Sequence, residues 1–563
     1  MTIRSKFSLF FLSLFAIAIS VGCNKPNAQT AEPIATKNEI KIESKPDDLF
    51  EEVAEKSGLK YQWEPLGKRP LTILQTIGNG CALLDYDNDG NLDILLVGQK
   101  PALFKGDGKG NFKDVTKETG FDKITGYFIG CAVGDYDNDG YPDIYLTGYR
   151  EGRLLHNEAG KGFKDVTSTS NIAKQPWGTS CSFGDIDNDG KVDLYICNYA
   201  VFDEKTKPQL CNFKDVNGNT IASSCGPRNY TPEKGVLYRN LGGGKFKDVT
   251  LDWHANTVHG RALGVAITDY DNSGRQSILI ANDEMPGDLL QNTGKFFHDA
   301  GVESTTAYDK ESTVHGGMGA DWGDFDNDGK LDLTVATFQR EAKCVYQNVG
   351  SGIFSENSNQ LGVAQPSAPY IAFGVKWIDI DNDGYLDLLY ANGHVQDNIE
   401  QIDKSTTYKQ PMTLLRNLNG ARFEDVTKLG GPGINTPIVG RGLAIGDFDN
   451  DGKLDALVVN SEGKPVLLHN RSQSKAHWVS FKLVGSKSNR MALGSQVILE
   501  IGGKKIYRRC ATDGSYLSAS DSRVHFGLGT ATAVTKATVV WTDGARQTFD
   551  KIPTDQVVTL TEK

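Results

Sequence analysis

From residue 80 to residue 470 the chain alternates short apolar, β-branched and aromatic runs with acidic or glycine-rich breaks. Runs of that length predict strands rather than helices. One period shows the parts. Residues 127–137 (YFIGCAVGDYD) lead into an acidic turn, 142–149 (PDIYLTGY) follow, and a third run centres on 153–157 (RLLHN). A glycine turn then leads to Phe163-Lys-Asp-Val-Thr, which recurs as FKDVT at 112 and 246 and FEDVT at 423, with looser forms at Phe297 and Phe354. Four short strands per period joined by glycine-rich turns predict a propeller blade.

The last period ends with 465–470 (PVLLHN) and has no Phe-x-Asp-Val-Thr strand, whereas 49–59 (LFEEVAEKSGL), ahead of the first period, looks like an orphan copy of it. An N-terminal strand completing the last blade would close the ring and remove its sheet edges. The expected fold is therefore all-β, a seven-bladed β-propeller over 48–473. Residues 474–563 form a separate small β-domain, in which WVSFKLVG and QVILEI are strands and Gly502-Gly503 and Asp543-Gly544 suit tight hairpins.

Each acidic turn fits the frame Asp-x-Asp-x-Asp-Gly-x-x-Asp. First positions advance by 50, 50, 84, 55, 55 and 68 residues, the copy at Asp269 being degraded. Position 1 is Asp85, Asp135, Asp185, Asp324, Asp379 and Asp447 in the intact copies, and position 3 is Asp87, Asp137, Asp187, Asp326, Asp381 and Asp449. Position 5 is Asp89, Asp139, Asp189, Asp328, Asp383 and Asp451, and position 9 is Asp93, Asp143, Asp193, Asp332, Asp387 and Asp455. Carboxylates this close repel unless a hard cation gathers their oxygens, so about six Ca2+ are expected, bracing hairpins. Position 7 (Asn91, Tyr141, Lys191, Lys330, Tyr385, Lys453) includes lysines, so it is expected to offer its backbone carbonyl. The degraded copy has Ser273 and Ser277 at positions 5 and 9 and is expected to hold no metal.

Lys+Arg is 60 against Asp+Glu 71, a net charge of −11 that argues against a nucleic-acid partner. The first residues carry Arg4, Lys6 and an apolar run from Phe7 to Val21, short for a bilayer span and suited to an export signal over 1–22. It ends in Ser-Val-Gly-Cys, which resembles the lipobox of bacterial lipoproteins with Ser20 where Leu is usual. Lipidation at Cys23 is expected, then a flexible tether over 23–47. The expected location is the outer membrane or cell surface of a bacterium, held through that lipid, or a periplasmic or secreted form without it. An exported chain permits disulfides. Cys211 and Cys225 bracket a polar insertion and are the best pair; Cys181 and Cys197 would oppose each other across a hairpin centred on its turn.

The repeats and their Phe-x-Asp-Val-Thr strands resemble the FG-GAP/VCBS repeats of integrin α-subunit-like propellers. The stretches NRMALGSQVILEIGGKKIYRRC, GSYLSASDSRVHFGLGTA and VVWTDGARQTFDKI resemble the ASPIC/UnbV domain, which follows such repeats in the cartilage acidic protein-like family. Ala492-Leu493 stand where that family often has Ile-Gly. The resemblance covers nearly everything after residue 48.

If the acidic turns cap one end of the ring, the opposite rim carries Tyr127, Trp177, His259, Arg261, Asp283, His315, Tyr370 and His394. Aromatic and polar groups together suit a protein or glycan ligand, with interblade packing as the alternative role. No nucleophile elbow, zinc-protease helix or phosphate loop is present, so a binding, adhesion or scaffolding module without catalysis leads. The alternative is a Ca2+-dependent polysaccharide lyase or hydrolase using His259, His315 and Asp283 on that rim.

Overall fold

The computed structural model describes residues 45, 47–64, 67–203, 205 and 209–563. The export signal and Cys23 lie outside the described residues, as does nearly all of the tether.

Seven four-stranded antiparallel sheets form the blades of a propeller. Blade 1 runs Cys81–Leu84, Asp93–Leu96, Ala102–Gly106 and Phe112–Asp114 from the axis outward, and blades 2 to 6 repeat that order. Blade 7 takes three strands from Gly440–Gly446, Asp455–Asn460 and Val466–Asn470. Its fourth is Phe50–Glu52, with Phe50 paired to Asn470. The first described strand therefore closes the ring, and inner strands meet in circular order, blade 7 against blade 1. Inner strands are buried along their whole length because neighbouring blades pack on both faces, which explains apolar runs without alternation.

The C-terminal residues make a three-stranded sheet, with His477–Val484 between Val524–Gly529 and Val557–Thr561, and a four-stranded sheet from 496 to 552. These sheets share one apolar cluster with blades 2 and 3, so Phe481 and Val539 belong to the same core as Tyr145 and Phe183.

Residues 510–523 leave this domain and pass down the propeller axis. They contact the inner strand of every blade. Leu83 N–H donates to Ala519 O (3.1 Å) and Cys131 N–H to Leu517 O (3.0 Å). Ser182 Oγ donates to Asp513 Oδ2 (2.8 Å), as does Ile267 N–H (2.6 Å). Ser515 N–H donates to Ala320 O (2.7 Å), Lys376 Nζ to Asp513 O (3.2 Å), and Asp521 N–H to Ile445 O (3.1 Å). Gly80 shows how tight the fit is: a Cβ there would lie 1.8 Å from Leu517 O. The plug also carries charge, since buried Arg509 joins Asp321 (2.9 Å) and Asp513 (2.7 Å).

A cover closes the other end. The hairpin Leu210–Lys214 and Thr220–Ser224 reaches across to residues 396–401, where Val216 N–H donates to Gln401 O (2.9 Å) and Asn398 Nδ2 to Ala222 O (2.9 Å). A disulfide joins Cys211 to Cys225, as the sequence suggested. Cys181 instead pairs in register with Ile196, not Cys197, because the turn closes on the pair Gly184–Asp193 and the register runs unbroken from there to Cys181. Both cysteines are buried free thiols.

Candidate metal centres and the ligand rim

All seven acidic turns join the first and second strands of their blades and so cluster at one end of the ring. Each turn's shape is encoded twice. Asn at position 4 has φ between 55° and 61° and Gly at position 6 has φ between 78° and 97° in every copy, the left-handed region those residues tolerate best.

Within an intact turn every carboxylate has a defined place. Position 1 accepts the position-6 amide, as Asp135 Oδ2 does from Gly140 (2.8 Å). Position 5 accepts the position-7 amide, as Asp383 Oδ1 does from Tyr385 (2.8 Å). Position 9 is buried and accepts two amides: Asp387 Oδ2 takes Ile380 N–H (2.9 Å) and Oδ1 takes Asn417 N–H (2.6 Å). What remains points inward. Asp85 Oδ1, Asp87 Oδ1, Asp381 Oδ1 and Asp449 Oδ1 are buried with no hydrogen-bond partner among the described residues. Ligand oxygens of Asp85, Asp87 and Asp93 lie within 4.8 Å of one another, as do those of Asp135, Asp137 and Asp143. Burial pushes the carboxyls of Asp135, Asp185, Asp324, Asp379 and Asp447 up to about 7 and that of Asp93 up to about 8, with neighbouring loop carboxylates adding to the rise. Inward lone pairs on a hard, oxygen-only donor set fit a divalent cation such as Ca2+. Asn91, Tyr141, Lys191, Lys330, Tyr385 and Lys453 follow the turn glycine, where a backbone carbonyl is their available donor.

The degraded turn keeps its shape. Gly274 N–H still donates to Asp269 Oδ2 (2.8 Å), and Ser277 Oγ accepts Asn292 N–H (3.1 Å) in place of the missing aspartate.

Sequence reasoning missed three sets of residues. First, the position-4 asparagines reach the next blade: Asn88 Nδ2 donates to Gly140 O (2.7 Å), Asn138 to Gly190 O (2.8 Å) and Asn382 to Gly452 O (2.8 Å). Second, buried asparagines ending the third strands of blades 2 to 7 bond back to the preceding blade while also tying their own turn, as Asn417 Nδ2 does to Phe325 O of blade 5 and Leu386 O of blade 6 (both 2.9 Å). Both were legible as recurrent letters inside the repeat, the first in all seven copies and the second in six. Third, the residue before each of those asparagines faces the position-3 carboxylate: Arg239 meets Asp187 (2.6 Å), His469 meets Asp449 (3.0 Å), Gln347 meets Asp326 (2.7 Å), and Arg416 meets Asp381.

The C-terminal domain sits on the same end. Arg508 donates to Gly384 O (3.0 Å), Arg523 to Asp447 O (2.9 Å), and His525 Nε2 lies 2.8 Å from Asn382 Oδ1. Burial pushes the His525 imidazole down to about 3, so it is neutral there.

Of the expected rim residues, His259 is exposed and Tyr127, Arg261, Asp283, His315 and Tyr370 are half-buried, but two are closed off to a ligand. Trp177 and His394 are fully buried, and Tyr127 donates to Leu74 O (2.9 Å). Trp177, Tyr149 and Tyr199 pack into one apolar cluster with Phe202 of the insertion and Tyr516 of the plug. A rim this apolar must be covered, and segments distant in sequence cover it. Of the polar rim residues, Asp283 accepts from Tyr199 OH (2.6 Å) and is pushed up to about 7 by burial. His259 is held by Asp288 (2.5 Å), and His315 Nε2 lies 3.1 Å from Asp309 Oδ2. Arg261 and Tyr370 are half-buried at the margin, and Tyr370 O accepts from Lys343 Nζ (2.7 Å).

Against known families, the model for ASPIC and UnbV matches residues 485–563, and that for the FG-GAP-like repeat matches 85–146, 135–196 and 324–390. The chain carries FG-GAP-like repeats and an ASPIC/UnbV domain. Its similarity to cartilage acidic protein 1 of Xenopus tropicalis is 26% identity over 289 residues, and to that of Homo sapiens 23% over 288. Both matches span 50% of this chain and 42% and 41% of those proteins, so the chain matches less than half the length of these curated relatives. Among solved structures, an Agrocybe aegerita lectin described as recognising non-reducing terminal N-acetylglucosamine aligns over 70% of this chain and 95% of its own, at TM-score 0.39 and 14% identity. The turns that begin at Asp85, Asp135, Asp185, Asp324 and Asp379 thus fall within the FG-GAP-like matches, and the axial plug falls within the ASPIC/UnbV match. No helix among the described residues is long and apolar enough to cross a membrane.

Proposed function

We propose that this chain is an exported, Ca2+-stabilised propeller that acts as a binding or scaffolding module without catalysis, anchored through lipid on Cys23. The inward, unpartnered carboxylate oxygens of the FG-GAP-like turns carry the calcium part. Calcium supplies the positive charge that lets those buried carboxylates ionise together. Position-4 and third-strand asparagines then hold neighbouring turns in register, giving a rigid body that presents ligands to its surroundings. The export and lipid parts rest on the sequence of residues 1–23.

The ligand surface favoured by the geometry is a cleft of about 460 Å³ between the ASPIC/UnbV domain and the turns of blades 1 and 2. Lys482 and Arg490 line it together with Val484, Met491 and exposed Val557. That combination suits a protein or glycan ligand bearing an acidic group. The hydrolytic reading is not carried further, because His259 and Asp283 are each engaged in pairs of their own.

A glycan array probed with the Ca2+-loaded protein, repeated in chelator and followed by product analysis, tests this reading. Calcium-dependent retention without new chain ends is expected, and weakened by Arg490→Glu. Appearance of unsaturated or reducing ends would make the protein an enzyme instead.

A further inference from the structure

The third strand of blade 5, Cys344–Gly350, opens on a buried thiol. His315, 29 residues upstream, lines the same small cavity as that thiol, whose Sγ donates to Ala342 O (3.6 Å). Glu341 Oε2 lies 3.5 Å from His315 Nδ1. The same oxygen accepts the amides of Gly316 (3.0 Å) and Phe338 (3.0 Å), so it is fixed in place. On the far side of the ring, Asp309 Oδ2 lies 3.1 Å from Nε2, while its Oδ1 accepts Glu311 N–H (3.0 Å) and Thr313 N–H (2.7 Å). Both ring nitrogens are buried, and neither completes a hydrogen bond among the described residues. A cavity of about 30 Å³, lined in part by His315, Cys344 and Tyr346, adjoins the group. It has room for a single ion or water.

Blade 4 shows what the position holds otherwise. His259 precedes Asp288, the first residue of that blade's third strand, by the same 29 residues, and its Nδ1 lies 2.5 Å from Asp288 Oδ1. There a carboxylate satisfies the imidazole. Blade 5 substitutes a thiol, a weak hydrogen-bond acceptor but a strong ligand for a borderline-soft metal.

We propose that Cys344, His315 and Glu341 form a binding site for a zinc-class divalent cation, chemically separate from the oxygen-only turns. Sulfur, imidazole nitrogen and carboxylate oxygen are the donors such ions take, with a fourth position left to solvent. Asp309 is a positioning residue that orients the imidazole through its other nitrogen, the usual support of a metal-bound histidine. Binding displaces the thiol proton and, from the imidazolium held between Glu341 and Asp309, the proton on the ligating ring nitrogen; both pass to solvent, and the other ring N–H stays on Asp309. The competing arrangement is an imidazolium clamped between two carboxylates beside an inert thiol.

Cobalt titration of the full-length protein, stripped of metal and then supplied with Ca2+ to fill the acidic turns, separates the two. The expected result is a thiolate-to-cobalt charge-transfer band that saturates at one equivalent and disappears in Cys344→Ser. Affinity should fall by about tenfold or more in Asp309→Asn, with unchanged circular dichroism. Absence of the band, or its survival in Cys344→Ser, overturns the site. Should Cys344→Ser fail to fold, cobalt affinity unchanged in both His315→Ala and Glu341→Gln overturns it equally, whereas loss in both upholds it.

Discussion

Asn417 ends the third strand of blade 6 with its amide inside blade 5's acidic turn, and each of its side-chain bonds is to backbone. Replacing it by Ala leaves two buried carbonyls without donors, a loss of about 2–3 kcal/mol. Asn88→Ala, at an exposed turn, should cost about 1 kcal/mol or less; denaturant titration of both variants checks the ordering. The raised carboxyls set a second expectation. Without metal, the folded state keeps protons on Asp135, Asp185, Asp324, Asp379 and Asp447 that the unfolded chain releases near pH 4. Unfolding then releases protons, so stability falls as pH rises from about 4 to about 7. Thermal melts in chelator should therefore be higher at pH 5 than at pH 7.5, whereas Ca2+, which competes with those protons, should reverse the order.

At the scale of elements, the plug and the cover dominate. Gly80→Ala would drive a methyl into Leu517 O, so the plug must shift or the inner strand of blade 1 must move. The expected outcome is a marginal protein whose 510–523 segment becomes open to proteolysis, read by limited digestion and mass spectrometry. Reducing the Cys211–Cys225 disulfide should act locally. Hydrogen exchange should rise over 209–225, with a smaller loss of melting temperature than Gly80→Ala causes, because the hairpin lies outside the ring's own sheets. The Cys211–Cys225 pair was legible in the sequence, but where the cover and the plug lie in the fold was not. Strands, acidic turns and the closing strand at Phe50 follow from local patterning and repetition, which depend on neighbours in the chain. Residues 510–523 and 209–225 take their conformation from partners far away along the chain, and their polar, glycine- and serine-rich letters read as ordinary loops. For the same reason Trp177 and His394 looked like an open rim: a residue's place at a strand end is local information, whereas what covers it is not.

For the whole molecule, closure is the central question. Six interblade boundaries carry a buried third-strand asparagine, but blade 1 has Gly106 at that position, and at the boundary with blade 7 Asn450 Nδ2 reaches Asn91 Oδ1 instead (3.1 Å). That seam is held by the Phe50–Glu52 strand within blade 7, by the plug along the axis, and by Arg441. The Arg441 guanidinium, fully buried, donates to the carbonyls of Thr76, Gly393, Gly440 and His394 and lies 4.0 Å from the centre of the Phe373 ring. The position-4 asparagines tie each turn at the other end to its neighbour, so the proposed calcium, by neutralising the turn carboxylates, would act on closure through them. The most direct test measures metal content and thermal melting on one sample. About six Ca2+ per chain and a melting temperature that drops by many degrees in chelator are expected. Negligible calcium with a melt unmoved by chelator would contradict the account.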